Sequence, residues 1–202
     1  MRIIKYTHSC VRIEHRGQVL VIDPGIWSEP RALDGADAVL VTHEHADHVD
    51  DLRLVGLGAP VYAPAGADIP NLESIPVRPG ETFTAAGMTV RTVGERHATV
   101  HSGQTGVANL GYVVDDRLYH PGDALARPAQ AIETLLLPMH ANWLKTAEAV
   151  DFAHDVGAEA VFGIHEGQLN ERGLSSVNDW LAELVPAYRY LAVGESCDKL
   201  PA

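Results

Sequence analysis

The chain has 202 residues, 46% hydrophobic and 21% charged, a globular balance in which nothing reads as disordered or low in complexity. A formal net charge of −12 argues against a large nucleic-acid surface, which needs a basic stripe, but not against a small anionic substrate beside bound cations. Two cysteines imply no disulfide framework, the opening MRIIKYTHSC is too polar for a signal peptide, and no run approaches the ~18 apolar residues of a membrane span.

A soluble cytoplasmic protein is therefore expected, with oligomeric state left open. Residues 1–202 are read as one domain, since no linker and no repeat is visible. In chain order, 2–6, 10–15 and 18–22 read as short strands, with His15-Arg16-Gly17-Gln18 as the turn between the last two. VLVID (19–23) and DAVLVT (37–42) are nearly continuous apolar runs, as in strands buried on both faces. A short helix is expected at 51–56, a strand at 60–64, and a hairpin over 81–93 around Ala86-Gly87. The second half repeats the pattern, with a hairpin over 109–123 turning at Asp115-Asp116 and a buried strand at 133–138. A helix follows over 145–156, with Ala149, Phe152, Ala153 and Val156 on one face and Gly157 as its stop. A strand at 158–165 ends in a histidine; a last helix (175–185) and a last strand (188–193) complete the chain. Strands first and helices later in both halves predict an α+β protein: two mixed sheets packed face to face with helices outside.

The chemistry concentrates in VTHEHADHVD (41–50), where a buried strand opens into His43-x-His45-x-Asp47-His48. In extended chain, residues 43, 45 and 47 point to one side, and a bend at the strand end brings His48 inward. Four ligands from six residues serve two adjacent ions more readily than one. Imidazole and carboxylate without thiolate suit zinc, manganese or iron. The remaining ligands should also lie where strands stop: His97 after MTVRTV, Asp123 in LYHPGD, and His165 after AVFGI. His101, four residues beyond His97 in HATVHSG, is an open alternative to it.

THEHADH resembles the H-x-H-x-D-H signature of the metallo-β-lactamase superfamily, and HPGD resembles that family's Gly-Asp. THSC (7–10) and VIDPG (21–25) are similar to the branch containing L-ascorbate-6-phosphate lactonase. The resemblance spans nearly the whole chain. It implies a four-layer αββα sandwich, one ion held by His43, His45 and His97, a second by Asp47, His48 and His165, and Asp123 bridging them. Diiron redox members usually carry Glu where this chain has His45, which favours a hydrolase. Two ions sharing a water lower its pKa to about 7, and the hydroxide is the expected nucleophile on a small ester, lactone, thioester or phosphodiester. Asp47 and Asp123 are the expected catalytic carboxylates, and Asp23 is a candidate to align a histidine ligand.

His8 is placed near the pocket by its THSC context. His140, Asn142 and Trp143 in LPMHANW (137–143) would line it by the same analogy, with Trp27 a similar candidate. His120 reads as a packed core histidine, His154 as solvated on a helix, and His15 as a turn neighbour. Arg96, Arg127, Lys145 and Arg172 lie in no phosphate-binding motif. The competing readings are a nucleic-acid-processing nuclease, disfavoured by acidity and length, and a non-catalytic regulatory relative. A true β-lactamase is disfavoured by the missing export signal.

Overall fold

A computed structural model describes residues 1–104 and 106–198. The hairpins form where the turn chemistry directs them. Arg2–Lys5 (β1), Val11–His15 (β2) and Gln18–Ile22 (β3) pair antiparallel in sequence, the second turn using Arg16 and Gly17 at positive φ. Ala38–Leu40 (β4), Val61–Pro64 (β5) and Ile75–Val77 (β6) then add parallel to β3. The second sheet starts with Thr82–Ala85 (β7) and Met88–Val93 (β8), joined at Ala86-Gly87, and Gly111–Val114 (β9) and Leu118–His120 (β10), joined at Asp115-Asp116. Thr134–Pro138 (β11), Ala160–Ile164 (β12) and Tyr188–Arg189 (β13) extend it in parallel.

The sheets run β14-β1-β2-β3-β4-β5-β6 and β13-β12-β11-β10-β9-β8-β7, where β14 is Ser196–Cys197. Between them lies the main core, with Ile13, Leu20, Ile22 and Leu40 facing Val90, Tyr112, Leu136 and Phe162. Outside the second sheet, Thr146–Val156 (α2) and Glu171–Leu184 (α3) bury Ala149, Phe152, Ala153 and Leu181. A 3-10 turn at Pro30–Leu33 and the four-residue Asp51–Leu54 (α1) form a thinner cover on the first sheet. The result is the expected four-layer αββα sandwich. No helix among the described residues is long and apolar enough to cross a membrane.

Three boundaries differ from expectation. Helix α3 begins four residues early, because Asn170 caps it by accepting the Gly173 N–H, which offsets a glycine in the first turn. The strand expected at 188–193 pairs only at Tyr188 and Arg189. The chain then crosses to the first sheet, where Gly194 N–H donates to Lys5 O and β14 pairs with β1. Strand β6, containing Pro76, was not anticipated; it sits at the sheet edge, where a proline is tolerated.

Strands β3 to β6 and β10 to β13 are the parallel halves of their sheets. Loops at the carboxyl ends of parallel strands are where ligand sites form in such sheets. The sheets are stitched together there: Leu110 N–H donates to Thr42 O (2.9 Å) and the Tyr112 hydroxyl to Val41 O (2.8 Å).

Candidate metal centre

Asp23 leaves β3, the 43–48 loop leaves β4, Asp123 follows β10, His140 follows β11 and His165 follows β12. His97 arrives from the loop after β8. All these residues meet at one end of the sandwich. Ligand-capable atoms of His43, His45 and His97 lie within 4.8 Å of one another, as do those of His8, Asp47, His48 and His165, and those of His43, His48 and Asp123. The three groups share members, so they form one contiguous centre.

Asp123 lies at its middle. Its Oδ1 is 3.2 Å from His48 Nε2, and its Oδ2 is 3.0 Å from His165 Nε2 and 3.3 Å from His97 Nε2. The Trp143 indole N–H donates to the same Oδ2 at 3.0 Å. The backbone of Asp123 is fixed by its N–H to Asn109 Oδ1 (2.9 Å) and by Ala98 N–H to its carbonyl (2.8 Å). Two glycines allow the loops to close this tightly. A Cβ on Gly25 would sit 1.9 Å from the Asp47 carbonyl oxygen. One on Gly122, whose φ is +62°, would sit 2.4 Å from Asn109 Oδ1.

The outer nitrogens of four of the histidines are engaged. Asp23 Oδ2 accepts from His48 Nδ1 (2.7 Å) and from the Thr42 hydroxyl (2.7 Å), while its Oδ1 accepts the Thr42 N–H (2.7 Å). The Thr42 hydroxyl has one proton, and Asp23 takes it. Its contact with His43 Nδ1 at 3.0 Å is therefore donated by the ring. His97 Nδ1 donates to the Ala98 carbonyl and His165 Nδ1 to the His140 carbonyl. Each of these four rings thus turns its Nε2 inward.

Those inward atoms fit a metal. His43 Nε2 and His45 Nδ1 face each other at 3.1 Å, close to the ~3.3 Å separating two nitrogens that share a tetrahedral ion at 2.0–2.1 Å. His48 Nε2 and Asp123 Oδ1 are buried without a hydrogen-bond partner, because their 3.2 Å approach lacks hydrogen-bond geometry. Native interiors rarely leave such atoms unpaired.

The electrostatics divide the histidines. Burial, reinforced by the His48 charge, holds His43 well below the usual range, so its ring is neutral. Burial also lowers His45. For His48 burial acts the same way but is outweighed by the Asp123 and Asp23 carboxylates, which hold its pKa well above the usual value. Burial would raise Asp47, yet the His8 hydrogen bond and the His48 charge bring it down to about 2. Asp123 is buried too, but His48 and His165 hold it well below the usual carboxylate range.

Three residues here, His8, Asp23 and His165, adopt left-handed backbone at φ of 65°, 50° and 66°. The other non-glycine residues in that region include those of the three hairpin turns. Each such position costs on the order of 1 kcal/mol and persists only where its surroundings hold it, commonly at a functional site.

The structure thus brings together His43, His45, Asp47, His48, His97, Asp123 and His165, with Asp23 behind them. Of the two alternatives after β8, His97 is in the centre and His101 is exposed. His140 contributes its backbone carbonyl, its half-buried ring being lowered by burial and by His165. Trp143 reaches Asp123, and Asn142 is exposed on the same loop. Trp27 stands edge-on to the buried His8 ring, with centroids 4.9 Å apart. His120 is a satisfied core histidine, donating to Ser9 O (2.9 Å) and accepting from Gly122 N–H (3.1 Å). Thr42 and Asn109 were not anticipated, and neither lies in a pattern that marks it.

The profile of the beta-lactamase superfamily domain matches residues 2–165, and the chain belongs to that superfamily. Protein Rv0786c of Mycobacterium tuberculosis is 35% identical over 178 residues, covering 82% of this chain and 84% of that protein. A UPF0173 metal-dependent hydrolase of Thermoplasma volcanium is 32% identical over 136 residues, 61% of this chain and 60% of the relative. A solved metallo hydrolase from the archaeon Ignicoccus hospitalis superposes with a TM-score of 0.71 at 18% identity over 97% of each chain, which shows a common fold.

Proposed function

We propose that the chain is a hydrolase acting through two divalent ions, with zinc favoured over manganese or iron by the donor set. His43, His45 and His97 would hold one ion, Asp47, His48 and His165 the other, and Asp123 would contact both. The carrying observation is the Asp123 carboxylate, which stands between the two sets: His97 of the first lies 3.3 Å from Oδ2, and His48 and His165 of the second lie 3.2 Å from Oδ1 and 3.0 Å from Oδ2. When bound, such ions activate a water and polarise the scissile carbonyl or phosphoryl group.

The chain's own residues do the rest. Asp23, Thr42 and the Ala98 and His140 carbonyls keep the histidine lone pairs aimed inward. Trp143 reduces the charge on Asp123 by donating to it. Asp47, partly exposed and ionised, would orient the attacking water by accepting a hydrogen bond from it. A groove of about 350 Å³ extends from His45 and His97 along Thr99, Val100, Gln104 and Val107, a size suited to a small molecule. The substrate classes are esters, lactones, thioesters and phosphodiesters. Lactones carry added weight from the resemblance of THSC and VIDPG to the lactonase branch. The reading places the enzyme in the cytoplasm, where a buried thiol such as that of Cys10 stays reduced.

The chain loaded with each metal should turn over at least one class in a panel of these substrates, lose that activity to a chelator and regain it on reloading. A fully loaded chain inert to all four classes would point to the regulatory reading instead, and salt-sensitive RNA cleavage to the nuclease reading.

Metal uptake should also release protons. His48 carries a proton in the apo chain because its pKa is raised, and Nε2 must lose that proton to ligate. Apparent affinity should therefore fall as pH falls, with about one proton released at neutral pH. Calorimetry in buffers of different ionisation enthalpy measures this; a proton count near zero contradicts it.

A further inference from the structure

His8 sits beside Asp47, His48 and His165 and could be taken for a further ligand. Its hydrogen bonds indicate otherwise. Gly167 N–H donates to His8 Nδ1 at 3.2 Å, so that nitrogen carries the lone pair and the ring proton is on Nε2. Nε2 in turn lies 3.1 Å from Asp47 Oδ2. Both ring nitrogens are committed, and no lone pair is left for an ion.

The ring is held in place by one short segment. His165 N–H donates to the His8 carbonyl (3.1 Å), and Glu166 Oε1 accepts the His8 N–H (2.8 Å). Glu166 is itself fixed by the buried Lys5 ammonium at 2.9 Å. With Gly167, three consecutive residues after β12 grip His8 at its N–H, its carbonyl and its ring, and hold its backbone at positive φ. Lys5 and His8 belong to the first sheet's end of the chain, and residues 165–167 follow a strand of the second. The clamp therefore sets both sides of one half-centre together. Asp47, by contrast, lies on a loop and is partly exposed, so its carboxylate needs a partner to fix its direction.

We infer that His8 is a positioning residue: it donates Nε2–H to Asp47 and aims that carboxylate at the half-centre shared with His48 and His165, without holding an ion itself. This rests on the two-ion reading above.

The test titrates cobalt(II) alone into the apo full-length chain and its His8→Ala and His8→Gln variants, following equilibrium binding and the visible absorption of each equivalent. Glutamine keeps an N–H donor at the Nε2 position but has no imidazole lone pair. Wild type should take two equivalents. H8A should bind the first as wild type does and the second about 10- to 100-fold more weakly, the range for loss of a group that supports a ligand. H8Q should return to within roughly threefold of wild type on the same scale. Long-range proton–nitrogen NMR of the apo chain should show the His8 proton on Nε2.

Unchanged second-site affinity in H8A overturns the inference. So does a folded H8Q as impaired as H8A, which would make His8 a ligand, or a proton found on Nδ1. If H8A fails to fold, H8Q decides: near-wild-type binding supports the assignment and loss of the second equivalent overturns it. A wild-type chain that takes one equivalent overturns the two-ion reading itself, and this inference with it, a result distinct from all the others.

Discussion

Alanine at Asp123 is expected to remove one or both of the proposed ions and to lower turnover on the order of 10³-fold. The size follows from what a bound ion contributes to a transition state, several kcal/mol, and from the tenfold change in rate per 1.4 kcal/mol. No neighbour can substitute for Asp123. It is the carboxylate that His48, His97, His165 and Trp143 all approach, and its backbone is locked by Asn109 and Ala98. Asp123→Asn separates charge from shape. It preserves the side-chain volume but leaves the inward histidines without their central anion, so it should lose metal nearly as completely as alanine does. Both variants should also release fewer protons on metal uptake, because His48 loses one of the two carboxylates that raise its pKa. The measurement is metal content after equilibrium dialysis, beside turnover. Two equivalents retained in both variants would remove Asp123 from the centre.

Most of the sandwich can be read from local sequence, because its turns are local. Arg16-Gly17, Ala86-Gly87 and Asp115-Asp116 each sit between alternating or apolar runs and set the register of a hairpin. Residues 43–48 are legible for the same reason: a metal-binding pattern compressed into six positions cannot be mistaken for a strand face. The supporting contacts are not legible, because they are made across the fold. Lys5 reads as one polar position of a short strand, yet it pairs with Glu166, 161 residues away. Thr42 is a common strand-end residue, and only its position between Asp23 and His43 gives it a role. Left-handed backbone at His8, Asp23 and His165 has no residue-level signature, since His and Asp do not require it. The strand expected at 188–193 falls short for a related reason. YRYLAV has β-favourable residues throughout, but the chain changes sheets after Arg189, and that change depends on Lys5 and β1.

Asp23 provides the second large effect, and its two simplest variants should fail in different ways. Asp23→Ala leaves the Thr42 N–H, the Thr42 hydroxyl and His48 Nδ1 without their common acceptor inside the protein. Removing one partner of a buried ion pair costs about 3–5 kcal/mol, so the apo chain should melt well below wild type. Asp23→Asn keeps an oxygen for the Thr42 N–H but replaces the other with an amide that can only donate. That amide would donate to His48 Nδ1, so the neutral ring would have to keep its proton on the inward Nε2. It would also donate to the Thr42 hydroxyl, which must then turn its own proton toward His43 Nδ1, and His43 too would carry its proton inward. Two nitrogens that should offer lone pairs to an ion would thereby keep their protons. D23N should therefore retain more stability than D23A and yet lose metal affinity by at least 10- to 100-fold, the range for a group that orients a ligand. Thermal melts of the apo chains with zinc titrations of each variant give both quantities. A D23N chain that binds zinc as tightly as wild type would show that the Asp23–Thr42 relay does not set the histidine tautomers, and the inward lone pairs would then need another source.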